Sequence, residues 1–206
     1  MEKYLFDKYK RYPIHIILGD PGSGKSLFGV YLAFLASNSN IKIFANFHLK
    51  GIPYHYVRYY KDFDDKGKTV VINDMLRGYA EDGTKIEKGL ILWDEPQSTG
   101  MNAHSFFSKE TIEMATFVSQ IRKKDLALIL MTQRFNFPVY NVRQLVAYVY
   151  EIYPTDTSGI IDVIRVDYNT DKMLDGGAIK LDLRLYFDYY NTKEMIGIKP
   201  EVDENE

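Results

Sequence analysis

Gly19-Asp20-Pro21-Gly22-Ser23-Gly24-Lys25-Ser26 has the spacing G-x-x-x-x-G-K-[ST]. Glycines let a backbone wrap closely around phosphate oxygens, and successive N–H groups at the start of a helix point toward an anion. Lysine reaches the β- and γ-phosphates, and a serine hydroxyl is a hard oxygen suited to Mg2+. The segment predicts a nucleoside triphosphate site built by Gly19, Asp20, Pro21, Gly22, Ser23, Gly24, Lys25, Ser26 and Leu27. Its expected ligands are ATP and Mg2+, with Lys25 on the phosphates and Ser26 on the metal.

A second chemical group follows the apolar run Leu90-Ile91-Leu92-Trp93, where Asp94 and Glu95 stand side by side. An acid at the end of a buried strand, beside a phosphate turn, can hold the Mg2+ hydration shell, which is the role expected of Asp94. Glu95, one residue farther, can orient and polarise an attacking water, so the pair argues for hydrolysis. Thr132 and Gln133 close another apolar run, and an amide there can hydrogen-bond the γ-phosphate or the lytic water. Charge developing on the γ-phosphoryl group also calls for an arginine, for which Arg122, Arg134 and Arg143 are candidates. Arg122, flanked by Lys123 and Lys124 at a helix end, can reach a neighbouring subunit's nucleotide.

These groups need elements to position them. Residues 14–18 form a short apolar run bounded by Pro13 and Gly19, which suits a buried parallel strand. Residues 25–36 are apolar on most sides and read as a buried helix, and 41–45 as a second strand, completing a βαβ unit. The Tyr-rich stretch 54–60 reads as a half-buried strand, and 71–79 as a short helix from the spacing of Ile72, Met75, Leu76 and Tyr79. Residues 90–93 form a third buried strand, and 96–108 a surface segment near the site. A helix follows with Ser108 as N-cap and Met114, Phe117, Val118 and Ile121 as its apolar stripe. Residues 126–132 and 146–152 read as the next core strands. Runs 160–166 and 181–187, joined through Asp175-Gly176-Gly177, predict a late antiparallel hairpin or sheet edge. The expected class is α/β, with a central, mostly parallel sheet flanked by helices and extended by a C-terminal β-hairpin. The expected organisation is an N-terminal extension (1–13), one ATPase domain (14–200) and an acidic tail (201–206).

The composition agrees with a folded domain. Of the 206 residues, 46% are hydrophobic and 26% charged, which excludes a disordered or collagen-like chain. With no cysteine, disulfides, Cys metal sites and thiol nucleophiles are excluded. The start does not resemble a signal peptide, and the apolar runs are too short to cross a bilayer, so a soluble intracellular protein is expected. The net charge of -2 provides no global basic field, so any DNA contact must come from a local patch or an oligomer.

Several segments together resemble the zonula occludens toxin-like ATPases of the FtsK–HerA superfamily of DNA-pumping motors. They are 19–26, Ile43-Phe44-Ala45-Asn46-Phe47-His48-Leu49, 90–97, the stretch 122–134 ending in Thr132-Gln133-Arg134, and 141–146. Tyr186-Phe187-Asp188-Tyr189-Tyr190-Asn191-Thr192-Lys193-Glu194 is similar to the segment that closes the family domain, and the resemblance covers residues 14–195. It implies a RecA-like P-loop fold with Lys25 and Ser26 on phosphate and Mg2+, Asp94 as metal acid and Glu95 as hydrolytic base. It also implies Gln133 as γ-phosphate sensor and Arg122 as a finger acting in trans within a homo-oligomeric ring, a hexamer. Asp125 stands where the family often has glycine. No membrane anchor is expected after the ATPase domain, and in this the chain resembles viral genome-packaging ATPases. The resemblance therefore implies double-stranded DNA as partner, with a capsid or virion membrane protein as a further one, in the host cytoplasm or the virion. Two rival readings are a virion-assembly ATPase acting on protein, and a P-loop kinase of nucleotides or small molecules.

Overall fold

The computed structural model describes residues 13–63, 65, 69–96, 109–136, 138, 140–168, 170, 172–174 and 177–190. Strand β1 (Ile14–Leu18) leads through the glycine turn into α1 (Lys25–Asn38) and β2 (Lys42–Ala45). Then come β3 (His55–Tyr56), the hairpin β4 (Tyr59–Phe63) and β5 (Thr69–Asn73), the short α2 (Asp74–Arg77), and β6 (Gly89–Asp94). Helix α3 (Lys109–Gln120) runs into a 3-10 turn (Ile121–Lys124) ahead of β7 (Leu126–Thr132), and α4 (Tyr140–Arg143) precedes β8 (Tyr148–Pro154). Next are β9 (Ile160–Asp167), β10 (Lys172–Met173), β11 (Ile179–Asp182) and a second 3-10 turn (Arg184–Tyr189).

The main sheet has the order β10-β9-β8-β1-β7-β6-β2-β3, with β11 also paired to β9. From β8 to β3 all neighbours are parallel, whereas β9 is antiparallel to β8, and β10 and β11 are antiparallel to β9. This is the expected α/β architecture, with a mostly parallel centre and an antiparallel C-terminal extension, and it is the RecA-like P-loop fold. Among the described residues no helix is long and apolar enough to cross a membrane.

Strands β6 and β7 are buried along their whole length, as the unbroken runs Leu-Ile-Leu-Trp and Leu-Ala-Leu-Ile-Leu-Met require. The two-residue period sorts them onto two faces. Ile17, Leu90, Leu92, Ile129 and Met131 pack with α1, while Ile16, Ile91, Trp93, Leu128 and Leu130 pack with Met114, Phe117 and Val118 of α3. Gly29 lets α1 lie close to β7, because a Cβ there would come within 2.5 Å of Met131 Sδ. In register, Leu18 pairs with Thr132 and Asp94 with Met131. The carboxyl ends of β1, β6 and β7 therefore finish at one sheet edge.

Some elements differ from expectation. The Tyr-rich stretch 54–60 is two strands, because the chain leaves the main sheet at Arg58. There the buried Asp74 accepts from the Arg58 N–H at 3.0 Å and from its guanidinium Nε at 2.9 Å. Residues 71–79 begin as strand rather than helix: Ile72 pairs with Tyr60, and only Asp74–Arg77 is helical. Asn73 caps that turn by accepting from Leu76 N–H, and Gly78 ends it at φ 80. The late strand 181–187 stops at Asp182, whose carboxylate accepts from the Arg184 N–H at 3.1 Å and starts a 3-10 turn. Helix α1 runs two residues longer than expected, and β8 starts two residues later. Ser108, most of the 96–108 segment, Asp175, Gly176, the extension 1–12 and the tail 201–206 lie outside the described residues.

Candidate nucleotide-binding site

Residues 19–24 form a tight turn between β1 and α1, and Lys25 and Ser26 open the helix. Gly22 and Gly24 have φ of 77° and 98°, which suit glycine and turn the backbone N–H groups around the start of the helix. Ser23 N–H donates to Asp20 O at 3.1 Å, and Phe28 N–H to Gly24 O at 2.9 Å. Any side chain at Gly19 would collide with Ser23 Oγ. Ser23 is buried, and its hydroxyl has no hydrogen-bond partner among the described residues, as fits a turn built around an oxyanion. Lys25 Nζ donates to Asp20 O at 2.8 Å across the turn. Burial lowers the pKa of this ammonium, a pull opposed by the nearby carboxylates of Asp94, Asp20 and Glu95.

The sheet brings the second half of the site to this turn. Ser26 Oγ donates to Asp94 Oδ2 at 2.6 Å. Burial pushes the Asp94 carboxyl up to about 6, with the Glu95 charge adding to the effect, while the Ser26 hydroxyl, the Glu95 N–H and Lys25 oppose it. These are hard oxygen donors at one point. Mg2+ takes one or two protein oxygens and fills its shell with water and phosphate, so Ser26 and Asp94 fit it. No group of three or more His, Cys, Asp or Glu among the described residues is placed to hold a metal ion.

Glu95 has φ 48, a left-handed conformation that costs a non-glycine residue about 1–2 kcal/mol. Its N–H lies 3.0 Å from Asp94 Oδ1 and 3.1 Å from Met131 O. The strand thus stops abruptly after the first acid, and the second stands on a separate turn. Backbone strain of this kind is held where the surroundings over-determine it, as at reactive sites.

Asn46 went unassigned in the sequence. It is 3% exposed, donates through Nδ2 to Asp94 O at 2.9 Å, and accepts through Oδ1 from Asp94 N–H at 2.7 Å. Its carboxamide extends the β2–β6 ladder past Ala45 and fixes the peptide that carries Asp94. The only signal was an Asn closing a buried apolar run, and its partner depends on strand order.

Gln133 directly follows β7, one residue past the Leu18–Thr132 pair, and so stands level with Gly19. Arg122 precedes β7 and lies at the opposite sheet edge, separated by the strand's length, about 20 Å. It is exposed there. Arg134 is exposed beyond Gln133, at the phosphate-turn edge. Arg143 is held within its own neighbourhood, donating to Asn136 Oδ1 at 3.0 Å and lying over the rings of Tyr140 and Phe135 at 5.6 and 6.0 Å.

The family model for zonular occludens toxin (Zot) matches residues 13–191. The chain belongs to the Zot family. Its structure is similar to the N-terminal domain of zonular occludens toxin from Neisseria meningitidis, with TM-score 0.58 and 23% identity over 86% of this chain and 98% of that one. It is also similar to the genome packaging NTPase B204 from Sulfolobus turreted icosahedral virus 2, determined in complex with ATP-gammaS. There the TM-score is 0.51, with 14% identity over 78% of this chain and 95% of that one. The DNA-packaging ATPase B204 from Sulfolobus turreted icosahedral virus gives 0.52 and 16% identity, covering 78% and 95%. No curated protein matches the chain. Asp125, at the C-terminal end of the 3-10 turn Ile121–Lys124, has φ 52, a left-handed conformation. Aspartate tolerates that conformation better than most residues do.

Proposed function

We propose that this chain is an ATP-hydrolysing motor that translocates double-stranded DNA as a ring of identical subunits and packages a viral genome. The observation that carries the hydrolytic reading is the meeting of Ser26 and Asp94 at 2.6 Å, with Glu95 on its own strained turn one residue on. Residues 19–27 wrap the phosphates, and Lys25 exchanges its backbone acceptor for the β- and γ-phosphate oxygens. Ser26 and Asp94 would hold Mg2+, which would supply charge neutralisation to the triphosphate. Glu95 orients the attacking water and takes its proton, and Gln133 hydrogen-bonds the γ-phosphate and reports its loss.

The distance between Arg122 and its own phosphate turn supports a finger acting in trans, in a ring we take to be a hexamer. Such a ring gathers the basic turn 122–124 from every subunit, which reconciles a net charge of -2 with a DNA partner. The fold shared with B204, a genome-packaging NTPase, supports DNA as the cargo. A capsid or virion membrane protein would then be the docking partner, in the host cytoplasm or on the virion.

Phosphate release measured with and without duplex DNA, across protein concentration, tests this reading. The expected result is DNA stimulation that appears as subunits associate and falls steeply with salt. Stimulation by virion protein but not by DNA would instead mean an assembly ATPase. Phosphate recovered on an acceptor, rather than free, would mean a kinase.

A further inference from the structure

The cleft over the phosphate turn has a volume of about 550 Å3, and only part of its wall is the turn itself. The rest is the loop between β8 and β9, with Phe187 and Tyr190. One part of the wall is the glycine turn with Lys25, and the other combines the rings of Phe187 and Tyr190 and the aliphatic Ile160 and Ile161 with the polar loop 155–158. A ligand that fits both has a polyanion at one end and a flat, weakly polar ring at the other. Asp156, in the loop wall, makes a second polyanion at that end unfavourable.

The aromatic end is firmly built. Phe187 is 45% exposed, and it packs on Gly159, where φ is +79 and a Cβ would come within 2.6 Å of Phe187 Cζ. Leu183 N–H donates to Gly159 O at 2.7 Å, tying the 3-10 turn of Phe187 to the loop. Inside the loop, Thr155 Oγ1 donates to Ile160 O at 2.8 Å and accepts from Thr157 N–H at 3.3 Å. Tyr190 stands edge-on to Phe47 at 5.6 Å. The wall also abuts the phosphate turn, since a Cβ on Gly24 would lie 3.0 Å from Ile161 Cγ2.

We propose that Phe187 is the nucleobase platform of the site, its exposed ring stacking on the base while the turn holds the phosphates, with the broader purine face favoured over a pyrimidine. The assignment rests on the nucleotide reading above, and the test separates the two. Binding of ATP, UTP and inorganic tripolyphosphate, each with Mg2+, is measured by calorimetry on the wild type, Phe187→Leu, Phe187→Trp and Lys25→Ala.

Phe187→Leu is expected to weaken ATP on the order of tenfold, as loss of one base–aromatic stack should, with tripolyphosphate unchanged. Phe187→Trp retains ATP affinity, and wild-type UTP binds more weakly than ATP. Thermal unfolding of each variant establishes that it is folded. If Phe187→Leu weakens ATP and tripolyphosphate equally, or neither, the base platform is wrong while the phosphate site stands. If the wild type binds neither ligand, or Lys25→Ala binds both as well as the wild type does, the nucleotide reading itself falls.

Discussion

Ser26 and Asp94 are 68 positions apart in sequence, yet the serine hydroxyl donates to the aspartate at 2.6 Å. The first sits one residue into α1 and the second ends β6, so the contact exists only because β1 and β6 both flank β7. Under the proposed function, this carboxylate and hydroxyl would hold one Mg2+ without moving either element. Asp94→Asn keeps the shape and removes the charge. Mg2+ titrations of phosphate release are expected to show a metal affinity lowered roughly 10- to 100-fold, the range seen when groups that order a metal's shell are replaced. An unchanged Mg2+ midpoint would place the metal elsewhere.

Glu95→Gln separates binding from turnover. The amide can still hydrogen-bond water but cannot take its proton, so hydrolysis should fall on the order of 10²–10⁴-fold while ATP affinity stays within about twofold. Glu95→Gly loses activity to the same extent but gives no loss of thermal stability, because glycine adopts φ 48 freely. A large drop in melting temperature for Glu95→Gly would show that the side chain holds the fold rather than the water.

A finger in trans has a distinctive signature. Arg122→Ala subunits keep an intact phosphate turn, and Lys25→Ala subunits keep an intact arginine. Each alone should lose on the order of 10³-fold in stimulated hydrolysis. Mixed, they are expected to recover activity, because a competent turn then meets a competent arginine at some interfaces. Mixtures that stay as inactive as either parent would remove Arg122 from the mechanism and shift attention to the exposed Arg134.

Much of this candidate site is legible in the sequence alone. The glycine turn, the acid pair and Gln133 each follow a buried apolar run, and such runs identify parallel strands whatever their neighbours. What the sequence could not give was strand order, and with it the partner of Asn46 or the distance of Arg122 from its own turn. Backbone conformation was equally hidden: the left-handed φ of Glu95 and of Asp125 has no compositional sign, since neither is glycine. At 71–79 a helical spacing of apolar residues misled because Ile72 is held by cross-strand pairing with Tyr60, a contact periodicity does not contain. The aromatic wall is hidden for a related reason, since Leu181-Asp182-Leu183-Arg184-Leu185 alternates like a strand although Asp182 caps a 3-10 turn within it.

Asn46 offers a test of how far the site depends on its frame. Its carboxamide satisfies both the N–H and the C=O of Asp94, and Asp94 is only 4% exposed, so neither group has ready access to water. Asn46→Ala leaves both unpaired, at roughly 1–3 kcal/mol each where no water enters. Asn46→Asp keeps the acceptor for the Asp94 N–H but loses the donor and buries a second negative charge beside Asp94, which is the costlier change. Melting temperatures should therefore fall in the order wild type, Asn46→Ala, Asn46→Asp. Because the residue positions the acid pair and not the phosphates, kcat is expected to drop at least tenfold in Asn46→Ala while KM for ATP moves little. Equal changes in kcat and KM, or a stability order with Asn46→Asp above Asn46→Ala, would mean that the amide does not hold Asp94 in the working state.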